Sequence, residues 1–308
     1  MDLGFDVGVL ARLLALLVVL LIGAGLRSSG VLDAKRTARL NAVAYYVALP
    51  ALIFVSTYDQ AIGELLSVTL VGGLLFVLFT TASLAWLVHR GQETNGRRSV
   101  AIVQSYHSNL GYLGLPLVAA TFDAQVTAVA SVVLGVVTLV QVPMTIVVLS
   151  TFSSADANLV DELRGLATNP VLLSLIVGLG VGSIGVALPT AAATGLDAVG
   201  SLALPLALLC VGASLEFDVP AVDVGATGTV VGLKIVCMPV LAWIVFSTLA
   251  VDTPTFVASV VMLATPTAVS TYVFAAKLEG DEEFASLNVF TTTLVSIVTL
   301  FVVITLLT

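Results

Sequence analysis

The sequence predicts an all-α membrane protein with ten transmembrane helices, arranged as two inverted repeats of five helices each. Three observations carry this prediction: the apolar composition, the spacing of the apolar runs and a weak internal repeat. Of the 308 residues, 59% are apolar and 10% are charged, whereas soluble proteins carry roughly 25% charged residues. With a mean hydropathy of +1.15, the chain has too little charge for a soluble enzyme. Its net charge of −8 argues against nucleic acid as a partner, because phosphate binding needs clustered Lys and Arg.

Ten apolar runs are each long enough to cross a bilayer, which takes about 20 residues of helix. These runs, called spans 1 to 10, cover residues 7–26, 40–58, 64–88, 98–121, 125–150, 170–189, 195–215, 224–249, 255–277 and 284–307. The longest gap, 151–169, has leucines at helical spacing between charged residues, which predicts a cytoplasmic interfacial linker helix. The linker divides the chain into two halves, 1–150 and 170–308, with five spans each.

The positive charges predict the orientation of the spans. If the spans alternate in direction, nine of the eleven Lys and Arg residues fall on one side: Arg27, Lys35, Arg36, Arg39, Arg90, Arg97, Arg98, Arg164 and Lys277. Because Lys and Arg are enriched in cytoplasmic loops, both termini are expected outside the cytoplasm, in a multi-pass protein of the cell membrane. The other two cations, Arg12 and Lys234, lie inside spans 1 and 8.

The two halves repeat one another weakly. Residues Gly23, Gly25, Ser28, Gly30 and Val31 recur 155 positions later as Gly178, Gly180, Ser183, Gly185 and Val186. The tripeptide at 48–50 recurs at 203–205, and that at 84–86 recurs 157 positions later at 241–243. Since five spans is an odd number, the second half is inverted in the membrane relative to the first. Inverted repeats are typical of secondary transporters, in which the related halves build a central site.

Spans 4 and 9, which are equivalent in the repeat, are both interrupted by residues that weaken helices. The interruptions cover 105–116 and 264–272, and Asn109 aligns with Pro266 at the offset of 157. Unwound backbone inside a bilayer is tolerated only where protein or a wet cavity satisfies it. A broken helix also offers amide donors with partial positive charge, which suit a carboxylate. The predicted substrate-binding residues at the two interruptions are Ser108, Asn109, Gly111, Pro116, Thr265, Pro266, Thr267 and Ser270.

Two ionisable residues complete the predicted site. Lys234 lies near the middle of span 8, where it could attract an anionic substrate or lock structurally onto a carboxylate or freed carbonyls. His107 in span 4 could couple protons, although packing as a satisfied core histidine is the commoner role. The sequence predicts no catalytic residue, no metal site and no cofactor.

Several segments carry a resemblance to a known family. The most specific are 108–116, which reads Ser-Asn-Leu-Gly-Tyr-Leu-Gly-Leu-Pro, and 264–266, which reads Ala-Thr-Pro and is followed by a matching segment at 277–281. Segments 48–54 and 234–239 match as well. On these grounds the chain resembles the auxin efflux carrier family, over nearly its whole length.

The resemblance implies a division of labour between the helices. Spans 1, 2, 6 and 7 (7–58 and 170–215) would form a scaffold, through which a homodimer is expected. Spans 3–5 and 8–10 (64–150 and 224–307) would form a moving transport domain, with broken helices 4 and 9 crossing at the site. The family's crossover asparagine and prolines carry over to Asn109, Pro116 and Pro266, but no asparagine stands beside Pro266. Family members move organic anions such as indole-3-acetate or malate.

The leading hypothesis is therefore a secondary transporter that moves a small organic carboxylate anion across the cell membrane by an elevator-type alternating-access mechanism. One alternative is a sodium-coupled organic anion symporter of the bile-acid type, which shares a ten-helix inverted-repeat plan. A passive channel is another alternative. An enzyme is disfavoured, because residues 212–215 lack the second glycine of a nucleophile turn. The expected partners are the anion, the lipid bilayer and a second copy of the chain, with no nucleic acid.

Overall fold

The computed structural model describes residues 7–152, 164–213 and 224–308, which consist of helices and their connections without any β-strand. The helices are α1 Val7–Ser28, α2 Ala34–Thr57, α3 Val68–His89, α4 Asn95–Gln104, α5 Leu110–Thr121, α6 Ala124–Phe152, α7 Pro170–Ile184, α8 Thr190–Ala213, α9 Gly225–Thr248, α10 Thr253–Leu263, α11 Ser270–Lys277 and α12 Glu282–Leu307. Single helical turns at Ile62–Leu65 and 164–167 precede α3 and α7. Most of the predicted linker helix, 151–169, lies outside the described residues.

Six of these helices are long and apolar enough to cross a membrane, namely α2, α3, α6, α8, α9 and α12. Shorter apolar helices are α5, α7, α10 and the segment Ala15–Ser28 of α1. This length and composition are those of a helical membrane protein. The count of ten spans remains a prediction.

Several helix ends differ from the predicted spans. Helix α2 begins at Ala34 rather than at residue 40, because the Asp33 carboxylate caps it by accepting from the Arg36 amide at 2.7 Å. Helix α4 begins at Asn95 rather than at 98 behind the cap of Thr94. Hydropathy detects the apolar part of each helix and misses these polar first turns. Helix α7 instead ends early, at Ile184 rather than at 189, because Gly185 follows with a left-handed φ of 68°.

Three π-helical turns interrupt the long helices, at Ala44–Ala48, Leu110–Gly114 and Gly232–Cys237. Each turn ends two residues before a proline: Pro50, Pro116 and Pro239. A proline ring clashes with the carbonyl four residues earlier and lacks an amide donor, so the wider turn accommodates it. At Pro50 the π turn Ala44–Ala48 has this role within α2. At the equivalent Pro205, α8 is broken by a non-helical turn at residues 201–202 instead.

Among α1, α2, α7 and α8, the closest contacts join a helix of one half of the chain to a helix of the other half. Helix α1 packs on α8, where a Cβ at Gly23 would overlap the Leu209 carbonyl oxygen. Helix α7 packs on α2, where a Cβ at Gly178 would lie 3.3 Å from the Phe54 carbonyl oxygen. Both members of the second contact stand 155 residues from their counterparts in the first. The same close contact is therefore made twice, each time between the two halves.

Helix α6 runs through the centre of the fold and supports the broken helices. It packs against α2, α3, α4, α5 and α10, and every residue from 126 to 135 is buried. Its next turns carry Gln141 and Thr145, both buried, towards the segment between α4 and α5. Helix α6 thus brings two buried polar side chains to the segment that joins α4 and α5.

Candidate functional site

Two pairs of short helices replace the predicted spans 4 and 9. Helix α4 ends at Gln104 and α5 begins at Leu110, so the residues between them, 105–109, are outside both helices. Helix α10 ends at Leu263 and α11 begins at Ser270, which leaves 264–269. The breaks therefore lie within the segments that their proline, glycine and polar residues single out.

The two interrupted segments contact each other through their backbones. Ser108 and Thr267 form an isolated antiparallel bridge. The Asn109 amide donates to the Pro266 carbonyl at 2.8 Å, and the Ala268 amide donates to the His107 carbonyl at 3.1 Å. These bonds satisfy part of the backbone that the two helices release.

Asn109 and Pro266 stand at the centre of this crossing and 157 residues apart, at the offset of the repeat. A symmetric crossing would contain the return bond, from residue 266 to the Asn109 carbonyl. Proline has no amide hydrogen to make it. The Asn109 carbonyl instead accepts from the Gly114 amide at 3.0 Å, which ties the crossing to the π turn that opens α5.

Gln141 on α6 holds one strand of the crossing. The Ser108 amide donates to Gln141 Oε1 at 3.1 Å, and Gln141 Nε2 donates to the Ser108 carbonyl at 3.2 Å. One carboxamide thus satisfies both backbone groups of a buried residue, as a neighbouring β-strand would. Gln141 is absent from the predicted site, since its sequence position says nothing about the direction in which it points.

A second glutamine, Gln104, organises the other strand. Its carbonyl accepts from the Thr267 hydroxyl at 2.6 Å. Its Nε2 donates to the Thr271 hydroxyl at 3.0 Å and to the Ala285 carbonyl at 2.9 Å, and its Oε1 accepts from Asn288 Nδ2 at 2.8 Å. This network links α4, α11 and α12. The only sequence signal for it is a polar residue at the end of an apolar run.

Lys234 is fully buried in the π turn of α9, beside the end of α10. Its Nζ donates to the Leu263 carbonyl at 3.0 Å and lies 3.4 Å from Met238 Sδ. Leu263 is the last residue of α10, where free carbonyls carry partial negative charge. Of the two roles considered from the sequence, this contact matches the lock onto freed carbonyls.

His107 is also buried, with 1% of its surface exposed. Its Nδ1 lies 2.7 Å from the Thr145 hydroxyl, and its ring packs at 6.3 Å from that of Phe274. The contacts are those of a packed core histidine, the commoner of its two predicted roles.

Glycines and a proline shape the start of α5. Gly111 is half-buried within the π turn, and Pro116 is buried directly behind it. At Gly114, which is absent from the predicted site, a Cβ would lie 2.9 Å from Met262 Sδ and 3.1 Å from Thr265 Cγ2. The two broken helices can therefore approach each other only because residue 114 has no side chain.

The two threonines of the predicted site are bonded within the protein. The Thr265 hydroxyl donates to the Met262 carbonyl at 2.8 Å and so caps the end of α10. The Thr267 hydroxyl bonds the Gln104 carbonyl, as described above. Both side chains hold the shape of the crossing, and neither has its hydroxyl hydrogen free.

Asn109 differs from these threonines. It is 3% exposed, and its carboxamide forms no hydrogen bond with another described residue. Its neighbour Ser108 has a distant contact, 3.9 Å from its hydroxyl to Met238 Sδ. The crossing therefore contains one carboxamide, with two donor hydrogens and an acceptor oxygen, that forms no hydrogen bond with the described residues.

A cavity of about 890 Å³ lies next to the crossing. Helices α1, α2 and α8 line one side, and α5, α11 and α12 line the other. Ser270, at the start of α11, is the one predicted site residue among its lining residues, and Tyr112 lines it from the π turn of α5. The ring of Tyr112 stacks on that of Tyr45 from α2 at 6.1 Å. The other predicted site residues are not among the residues that line this cavity.

Comparison with known proteins decides the family. A family model described as membrane transport protein matches residues 9–304. The chain belongs to this family. The resemblance to the auxin efflux carrier family is thereby confirmed. A relative from Methanothermobacter thermautotrophicus (strain Delta H), described as an uncharacterized transporter, is 27% identical over 291 residues, which cover 93% of this chain and 94% of the relative.

Proposed function

We propose that this membrane transport protein is a secondary transporter for a small organic carboxylate anion. The observation that carries the proposal is the crossing of two broken helices around Asn109, whose carboxamide is buried and uncommitted. Broken helices that meet inside a membrane protein are typical of substrate sites in secondary transporters. The proposed site comprises Ser108, Asn109, Gly111, Pro116, Thr265, Pro266, Thr267 and Ser270, with His107 and Lys234 as supporting residues.

The charge distribution of the crossing favours an anion. Helices α5 and α11 both begin there, and a helix N-terminus carries partial positive charge. Helices α4 and α10 end there, with partial negative charge at their carbonyls. Lys234 neutralises the end of α10 through Leu263, and the Thr267 hydroxyl bonds the Gln104 carbonyl at the end of α4. The positive ends are thus left to face a ligand.

We further propose ten spans in two inverted repeats, with both termini outside the cytoplasm of the cell membrane. The exchanged contacts of Gly23 and Gly178 and the equivalence of Asn109 with Pro266 support the repeat. The glycine-packed helices α1, α2, α7 and α8 would be the scaffold, which would also form a homodimer. The other helices would move against it as an elevator, carrying the crossing from one face of the membrane to the other.

Uptake by liposomes that contain the purified full chain tests this function. We expect radiolabelled carboxylates to enter these liposomes and not protein-free ones, with uptake that saturates and is independent of a sodium gradient. Uptake that requires sodium would favour the symporter alternative, and unitary currents in planar bilayers would favour a channel. If no carboxylate from a panel of mono- and dicarboxylates moves in either direction, the proposed function is wrong.

A further inference from the structure

An exposed arginine lines the cavity beside the crossing, and no carboxylate is among the described residues that line it. Among the lining residues, all of which belong to the described part of the chain, Arg27 alone is charged. Arg27 lies in the last turn of α1, and its Nη1 is 3.5 Å from the Leu32 carbonyl. It forms no ion pair with a described residue, whereas Arg36 on the following helix approaches Asp33 at 3.9 Å. A cation that faces a cavity with no carboxylate among its described lining residues is suited to an anionic ligand.

The rest of the lining is mainly aromatic and apolar. Four of the six tyrosines of the chain line it, together with Phe290. Tyr45 and Tyr112 stack across the boundary between α2 and α5, and Tyr46 contacts Tyr45 edge-on at 5.2 Å. Such walls accept a hydrophobic body but offer no charged partner to a second carboxylate, whose burial without one is costly.

Some of the residues that line the cavity are close in sequence to the crossing. Tyr112 stands three residues after Asn109, and Ser270 opens α11 directly after the crossing segment 264–269. A ligand held at Arg27 therefore lies in a cavity whose lining includes residues next to the crossing in sequence.

We propose that Arg27 determines the charge selectivity of this protein: it binds the one carboxylate of a ligand whose hydrophobic body lies among the tyrosines. The expected ligands are organic monoanions, and compact dicarboxylates are disfavoured because the described lining of the cavity holds one cation. A planar guanidinium pairs with one carboxylate through two parallel hydrogen bonds, which a lysine cannot reproduce. This inference rests on the proposed function, since it names the ligand class of the same transport path.

Binding to the purified full chain in nanodiscs tests the inference with three probes: phenylacetate, its uncharged analogue phenylacetamide, and succinate. We expect phenylacetate to bind at least about tenfold more tightly than either of the others, as one charge-assisted pair supplies. The substitution Arg27→Gln should remove this preference and leave phenylacetamide binding unchanged, which also shows that the variant is folded. Arg27→Lys should retain only part of the preference.

Arg90→Gln is the matched control. Arg90 is exposed at the end of α3, on the same predicted side as Arg27, and does not line the cavity. It should keep the preference for phenylacetate. If Arg27→Gln also keeps that preference, or if succinate binds to the wild type as tightly as phenylacetate, the inference is wrong while carboxylate transport stands. If liposomes with wild-type protein transport no carboxylate, the proposed function itself fails.

Discussion

Valine at position 114 is expected to separate the two broken helices and abolish transport. A Cβ at Gly114 would lie 2.9 Å from Met262 Sδ and 3.1 Å from Thr265 Cγ2. Valine adds two methyl groups beyond that Cβ. Met262 and Thr265 are both fully buried, so neither side chain can turn out to the surface to make room. Overpacking of this kind costs about 1–3 kcal/mol, and here it acts on the contact between α5 and α10. Thermal unfolding in detergent and carboxylate uptake measure the two effects.

A graded series separates this steric effect from a general sensitivity of the segment. Gly114→Ala should lie between the wild type and Gly114→Val in melting temperature. Gly111→Ala is the matched control for stability, because a Cβ at Gly111 meets its nearest neighbours at 3.9 Å, an ordinary contact. A melting temperature for Gly114→Val equal to that of the wild type would show that the crossing is not closely packed at this residue.

Methionine in place of Lys234 is expected to abolish transport while changing stability little. The substitution removes a fully buried ammonium group, whose desolvation costs several kcal/mol. It also leaves the Leu263 carbonyl without its donor at 3.0 Å, a loss of about 1–3 kcal/mol. These two terms oppose each other in the free energy of unfolding. Transport has no such compensation, because the substitution removes both the bond that positions the end of α10 and the positive charge beside the crossing.

Lys277→Met is the control for Lys234→Met. Lys277 is the last residue of α11 and is exposed, so its replacement should leave uptake and melting temperature unchanged. Uptake by Lys234→Met at the wild-type rate would contradict the role given to the buried ammonium group.

The position of the crossing could be predicted from the sequence, because the residues that break helices are local. Pro116, Pro266 and the surrounding glycines disfavour a continuous helix wherever they are placed. That the two breaks meet is what the resemblance to the auxin efflux carrier family implies. The structure places them in direct backbone contact at 2.8 Å.

The side chains that hold the crossing could not be predicted in the same way. Gln141 reaches Ser108 across 33 residues of sequence, and Gln104 reaches Thr267 across 163. Which face of its helix such a residue occupies depends on tertiary packing. Lys234 shows the same limit, since hydropathy marks it as unusual but does not reveal whether its partner is a substrate or the Leu263 carbonyl. Hydropathy does not predict the polar first turns of α2 and α4, because it detects apolar segments whether or not the helix extends beyond them.

The free carboxamide of Asn109 gives the most direct test of the central claim, that the crossing is the substrate site. Carboxylate uptake is compared for wild type, Asn109→Ala and the exposed control Asn95→Ala. Because the Asn109 side chain forms no hydrogen bond with a described residue, Asn109→Ala should keep the wild-type melting temperature. Its uptake should fall by about 10- to 100-fold, the loss of one hydrogen bond to a charged group, while Asn95→Ala is unaffected. Equal uptake by all three proteins would contradict the account.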